Sequence, residues 1–208
     1  GYYDQTSFIP KPGTGAVSLR DMRKLSDGKS FAIGHTGYPF VLTYDLSAAS
    51  DRTKLTLLAA AAKEVVAPAV VYRQGLVLPL SSGLVQFIDP ATTQALALPF
   101  QPLLAPGARG SWNEPAVLAG DRAVVIGDGK QSLYRIAVKE GGQVAFGKEA
   151  EARVEGTLIS PVAAAGDFVC VVVREGAGDF LQLLQAGNLA AGAKLPLGGR
   201  WKSGPTVV

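Results

Sequence analysis

The chain has 208 residues, 48% of them hydrophobic and 18% charged, with a net charge of +3 from 20 basic and 17 acidic side chains. That length and apolar content exclude a disordered chain and allow a substantial core, in one large domain or two small ones. Lys and Arg are scattered, and the densest cluster, "RDMRK" at 20–24, carries its own Asp21; with no basic stripe and no stacking aromatics beside it, nucleic acid is not an expected partner.

A single cysteine, Cys170, excludes an internal disulfide framework and a cysteine-based zinc site. The longest apolar stretch near the middle, "LLAAAA" at 57–62, falls far short of the roughly 18 residues of a membrane span. A membrane is therefore expected only through an anchor outside this chain. No signal peptide is read, and because the chain opens at Gly1 without Met, a signal or anchor would lie outside these residues.

The 25 glycines and 13 prolines are spread as punctuation rather than gathered in a tail, which predicts many short elements joined by turns. In chain order, "GAVSL" at 15–19 reads as an opening strand, followed by strand-turn-strand in "SDGKSFAIGHTGYPFVLTYDL" at 26–46. "KLTLLAAAAKEVV" at 54–66 has helical propensity, but its place at the end of a unit favours a strand. A second unit opens at Pro68, and Pro79 inside "LVLPL" predicts a bulge or strand end, since proline cannot donate to a ladder. A third opens at Pro115: "PAVL", a turn in "AGDR", the apolar run "AVVI", a turn in "GDGKQ", then "SLYRIAV", "EGG" and "QVAF". The fourth repeats the order from Pro161 through "FVCVVV", "REGAGD", "FLQLLQ" and "AGN" to a weaker last strand.

Two markers keep one period. Prolines opening "PAVV", "PAVL", "PVAA" and "PTVV" at Pro68, Pro115, Pro161 and Pro205 lie 47, 46 and 44 residues apart. The pattern apolar-apolar-polar-apolar recurs in "VLTY", "LVQF", "LYRI" and "FLQL", its polar member at Thr43, Gln86, Arg135 and Gln182, at intervals of 43, 49 and 47. The expected units are 15–67, 68–114, 115–160 and 161–204, with the start of another at 205–208. A four-stranded antiparallel unit of this size leaves both sheet faces bare until neighbours stack around an axis, so the sequence has to repeat.

The stretches "PAVLAGDRAVVIGDGKQSLYRI" and "PAVVYRQGLVLPLSSGLVQFIDPATTQAL" resemble the PQQ-like (quinoprotein-like) β-propeller repeat, over about residues 26–208. The expectation is an all-β, WD-like β-propeller of four-stranded antiparallel blades, about four of them in 1–208. An arc of a larger ring is favoured over a closed four-bladed ring, because "GAVSL" already supplies the first unit with an opening strand. In the closed alternative, "PTVV" would donate that strand. An arc leaves apolar blade faces exposed and should self-associate.

The resemblance also implies chemistry to look for: quinoprotein dehydrogenases of this fold hold pyrroloquinoline quinone and calcium with adjacent cysteines, acidic ligands and a stacking Trp. Cys170 has no cysteine neighbour, and in "FVCVVV" it reads as a buried inert thiol. Trp112 and Trp201 precede first strands and read as packing between blades. Asn113 and Glu114 could face the axis, but two ligands without a third make no cation site. His35, the only histidine, sits in "GHTGYP" and reads as an exposed turn residue. "GDGKQS" at 127–132 resembles the end of a phosphate loop, yet Val124 stands where its glycine is required. "GTG" at 13–15 has no strand-to-helix setting, and Asp89, Asp121 and Asp167 read as turn residues bonding local backbone. No catalytic, cofactor-binding or metal-binding residue is assigned.

The resulting expectation is a noncatalytic propeller module that binds another protein or a peptide on one face, or serves as a scaffold. Relatives lacking the cofactor residues include scaffold lipoproteins of outer-membrane protein assembly and ectodomains of larger bacterial proteins, which implies an extracytoplasmic location. The alternative is a quinoprotein-type oxidoreductase whose cofactor residues lie outside this chain.

Overall fold

The computed structural model describes residues 65–103, 109–201 and 205 throughout, and 19–24, 30–35, 40–45 and 53–57 as backbone strands. A first sheet runs β1 (Leu19–Lys24), β2 (Ser30–His35), β3 (Phe40–Asp45) and β4 (Thr53–Leu57), each antiparallel to the next. The opening strand thus begins at the last residue of "GAVSL" and continues through "RDMRK", while 15–18 lie outside the described residues. The start of 54–66 is strand; 58–64 lie outside the described residues.

The second sheet has β5 (Val70–Tyr72), β6 (Gly75–Pro79) and β7 (Val85–Ile88). Pro79 is the strand end its missing donor demands. A fourth, irregular edge forms where Val85 and Phe100 exchange backbone hydrogen bonds of 2.8 and 3.0 Å and Leu96 N donates to Phe87 O at 2.9 Å. The third sheet contains β8 (Ala116–Val117), β9 (Val124–Gly127), β10 (Ser132–Lys139) and β11 (Ala145–Arg153). The fourth contains β12 (Thr157–Leu158), β13 (Ala163–Ala165), β14 (Phe168–Glu175), β15 (Gly178–Gln185) and β16 (Ala191–Leu197). Both β12 and β13 pair with β14, so this first strand comes in two pieces around Pro161. The only helical element among the described residues is a 3-10 turn at Ala119–Asp121.

One hydrogen bond recurs with the repeat. The residue two before each opening proline donates to the second strand or its end: Val66 N to Pro79 O, Asn113 N to Gly127 O and Ile159 N to Val172 O, all at 3.0 Å. The chain bonds before the proline, skips a donor at it, and resumes pairing beyond it, which explains why proline punctuates each unit. The carbonyl owners pair across their sheets with Val85, Leu133 and Leu181, so these three are structurally equivalent.

First strands lie side by side, β1 against β5, β5 against β8 and β8 against β13. The sheets therefore fan outward from a line of inner strands, with apolar seams between them. Val77, Val85 and Phe87 of the second sheet meet Val124, Ile126, Ile136 and Phe146 of the third. Val125 and Leu133 on its other face meet Val169, Val171 and Val173 of the fourth. Tyr72, Phe87 and Phe146 stack with ring centroids 5.4–5.7 Å apart. Each fully buried aliphatic side chain in such a seam contributes about 1.5–3 kcal/mol relative to exposure, and β9, buried on both faces, can exist only between neighbours.

The expectation that β14 is covered twice is corrected. Val77, Val125 and Cys170 occupy one position of the repeat, paired with Phe87, Arg135 and Leu183 respectively. Val77 and Val125 are fully buried against the following sheet, whereas Cys170 is half-buried. Phe168 and Leu195 on the same face are 47% and 48% exposed. Val172, also on this face, is 2% exposed, so the face is open around Phe168, Cys170 and Leu195 and not along its whole length. Thr206–Val208 lie outside the described residues.

Two predictions follow from the fourth sheet. Iodoacetamide should alkylate Cys170 in the native protein, though more slowly than after unfolding. Partial burial pushes its thiol above the ordinary value, so the rate should climb with pH well into the alkaline range. Mass spectrometry showing no alkylation before denaturation would mean that the face is covered. The second concerns Asp179, almost wholly inaccessible at 1% exposure. Its carboxylate accepts from Arg174 Nε and Nη2 at 2.8 and 2.9 Å and from Trp201 N at 2.6 Å. The Arg174 hydrogen bonds, aided by Trp201 N–H, hold its pKa down to about 2. A depressed carboxylate stabilises the fold above its unfolded pKa of about 3.9 and loses that contribution as pH falls toward 2. Acid unfolding should therefore steepen between about pH 4 and 2 in the native protein. Asp179→Asn should lower stability at pH 7 and remove that steep portion; an unchanged acid profile would contradict the assignment.

Candidate functional site

The end of the sheets that carries the strand-one to strand-two turns also carries the strand-three to strand-four turns. There, between the third and fourth sheets, a cavity of about 330 Å³ opens. Leu118 and Arg122 line it from the β8–β9 connection and Arg135 from β10. The fourth sheet adds Asp167 and Phe168 from the β13–β14 turn and Gln185 from the end of β15, with Ala186 and Gly187 closing one wall. The turns are pinned: Ala186 N donates to Asp167 O at 2.8 Å, and Leu118 N to Ala123 O at 2.9 Å. Gly166 takes φ +59° and Asp121 φ +50°, the tight reversals expected of "AGD" turns.

One residue of the cavity wall departs from the repeat. Arg135 pairs with Val125 and so faces the fourth sheet, at the position where the second and fourth sheets carry Phe87 and Leu183. A guanidinium thus replaces an apolar side chain inside a seam. The register of β10 with β11 shifts between Arg135, which pairs with Ala150, and Ile136, which pairs with Lys148; Glu149 is the extra residue of this bulge and forms an ion pair with Arg135 through Nη1. Arg135 Nε is buried and has no hydrogen-bond partner. Arg122, beside it in the cavity wall, donates Nε to Ala119 O at 3.0 Å. Chemically the groove offers cationic donors and one carboxylate, Asp167, with Phe168 and Gln185 at its rim.

The sequence candidates fall elsewhere. Trp112 is buried in the seam between the second and third sheets, donating Nε1–H to Leu80 O at 3.1 Å, with Tyr134 edge-on at 6.3 Å. Burial there pushes the Tyr134 phenol above its ordinary pKa. Trp201, read as a second packing residue, is instead 45% exposed and fixed through its backbone to Asp179 and Arg174. Asn113 is a clamp between sheets: its Oδ1 accepts from Gly129 N at 2.9 Å and its Nδ2 reaches Leu158 O at 3.5 Å. A Cβ at Gly127 would stand 2.6 Å from that oxygen and one at Gly129 2.8 Å from Ser111 Oγ, so the glycines of "GDGKQS" make room for Asn113 and Ser111 rather than for phosphate. Glu114 contributes its carbonyl, accepting from Val162 N at 2.9 Å.

Asp89 bonds its own turn, accepting from Ala91 N and Thr92 Oγ1 at 2.8 Å each. The Ala91 N–H bond holds its pKa down. Asp121 and Asp167 stand exposed in turns, and Cys170 lies on the open face of β14. His35 ends β2 as backbone only, and 13–15 lie outside the described residues. Among the described residues no three His, Cys, Asp or Glu side chains converge on a metal position. The quinone-calcium pattern does not fit here: Cys170 is alone, Trp112 is packed in a seam, and Asn113 Oδ1 is engaged. What the sequence reading missed is the Arg135 groove, whose signal was a charged residue in an otherwise apolar strand.

No protein-family model and no curated protein matches the chain. Solved structures do. BamB from Moraxella catarrhalis superposes with a TM-score of 0.59 at 13% identity, over 84% of this chain and 51% of that one. The β-propeller domain of Myceliophteria thermophila Cps50 (Swd1) gives 0.58 at 12%, over 81% and 57%. The dihydro-heme d1 dehydrogenase NirN in complex with DHE gives 0.64 at 16%, over 92% and 40%. This chain thus spans about half the length of the solved structures it matches. At these identities the likeness shows the fold alone: the chain is all-β, with antiparallel sheets arranged as β-propeller blades.

Proposed function

We propose that this chain belongs to a noncatalytic, PQQ-like β-propeller that acts as a protein-binding or scaffolding module in an extracytoplasmic compartment. The observation that carries the reading is the rim of the groove between the third and fourth sheets, where Phe168, which opens β14 on the Cys170 face, borders the groove and stands 47% exposed beside the β14–β15 ladder. Large aromatics are enriched where one protein grips another, and turns held by a rigid sheet are the usual carriers of recognition. Propellers such as the Swd1 domain and BamB share the architecture, and a solved mitotic checkpoint complex also matches, over 85% of this chain with a TM-score of 0.58.

Co-purification from the source cells tests this with three proteins: the unaltered chain, Phe168→Asp, and Leu103→Asp. Leu103 is fully exposed on the connection between the second and third sheets, away from the groove. A partner retained by the unaltered chain and Leu103→Asp, and lost from Phe168→Asp, is the expected result. Identical recovery from all three would remove the groove from the interface. Added pyrroloquinoline quinone with calcium should leave the melting temperature unchanged; a clear rise would favour the oxidoreductase alternative, since a ligand that binds the native state stabilises it by mass action.

A further inference from the structure

We propose that the groove between the third and fourth sheets is a receptor for a peptide carboxylate carried next to an apolar side chain. The inference rests on the protein-binding reading above and names the chemistry of what that site takes. Its ground is the misfit of Arg135. The repeat puts the apolar Phe87 and Leu183 at this position. Arg135 instead brings a guanidinium to the wall of a cavity of about 330 Å³, and its side chain is only 17% exposed. Burying a guanidinium is unfavourable unless its donors are met. Glu149 engages Nη1, while Nε stays buried without a partner. A ligand oxygen is what this donor lacks.

The other walls narrow the class. Arg122 brings a second guanidinium whose one hydrogen bond goes to a backbone carbonyl, so its terminal nitrogens can fork onto an anion. Asp167 on the same wall opposes a dianion such as a phosphate monoester and favours a single negative charge. Leu118 in the wall and Phe168 at the rim supply apolar surface beside the cations. The volume is that of a small pocket, enough for one or two side chains. Two sources share this chemistry, an Asp or Glu side chain within a segment and a chain-terminal carboxylate.

Amide chemical shifts of Arg122, Phe168 and Ala186, followed by NMR titration of the intact chain, test the assignment. The probes are a Phe-Glu peptide with both ends blocked, a peptide ending in Phe with a free carboxyl, its amidated counterpart, and free 3-phenylpropionate. Saturable shifts from at least one carboxylate probe and none from the amidated peptide are expected; which probe binds separates internal acid from chain end. Arg122→Ala should weaken that binding by about tenfold or more, the value of a lost charge-assisted pair. Arg135→Leu should abolish it while leaving the thermal melt unchanged or higher, because it restores the apolar residue of the other sheets. No saturable shift from any probe, or undiminished binding by Arg135→Leu, overturns the proposal. Binding of 3-phenylpropionate at the groove with no protein partner lost from Phe168→Asp would leave the carboxylate site standing and reject the protein-binding reading.

Discussion

Everything in this chain depends on the burial of sheet against sheet. A blade of four short strands has two apolar faces and too little area to hold together alone. The central strands show the consequence: Val124, Val125 and Ile126 alternate between two seams and all are fully buried. Val124 and Ile126 serve the second sheet and Val125 the fourth. Stability is thus shared between neighbours, as in other repeat architectures, and no blade can be assigned a stability of its own.

The seams also need backbone order at their edges, and polar groups supply it. Connections cross the strand-two to strand-three turn of the preceding sheet, where Gly110 N meets Ser81 O at 2.8 Å and Leu158 N meets Lys130 O at 2.7 Å. At the outer rim, Leu98 and Ala145 form a parallel bridge that ties the second sheet to the third. Asn113 spans the third and fourth sheets through both ends of its amide. These contacts satisfy groups that connections would otherwise bury unpaired. Among the described residues Arg135 Nε, like Ser82 Oγ, is a buried polar atom without a hydrogen-bond partner.

Proline and Gly-Asp punctuation made the repeat legible, because a missing donor and a positive φ are local requirements that each unit must meet. The faces were less legible. Arg135 shares a sequence pattern with Gln86 and Gln182, yet those two pair with Leu78 and Val171 and face the preceding sheet. Register places Tyr134, not Arg135, in their row. A shift of one residue turns a side chain to the opposite face, and sequence spacing alone carries no register. Cys170 and Trp201 were misjudged for a different reason: their strand and connection look like those of a covered blade, and coverage depends on a neighbour, not on the strand itself.

The central claim is that one repeat position is covered in the third sheet and open in the fourth. Placing the same charge at both, in Val125→Asp and Cys170→Asp, and measuring urea unfolding tests it directly. The account predicts that Val125→Asp loses more than about 4 kcal/mol or fails to fold, the cost of an unpaired charge in a seam. Cys170→Asp should lose about 1 kcal/mol, since its carboxylate can reach water. Equal and severe losses at the two positions would contradict the open face and the arrangement of sheets derived from it.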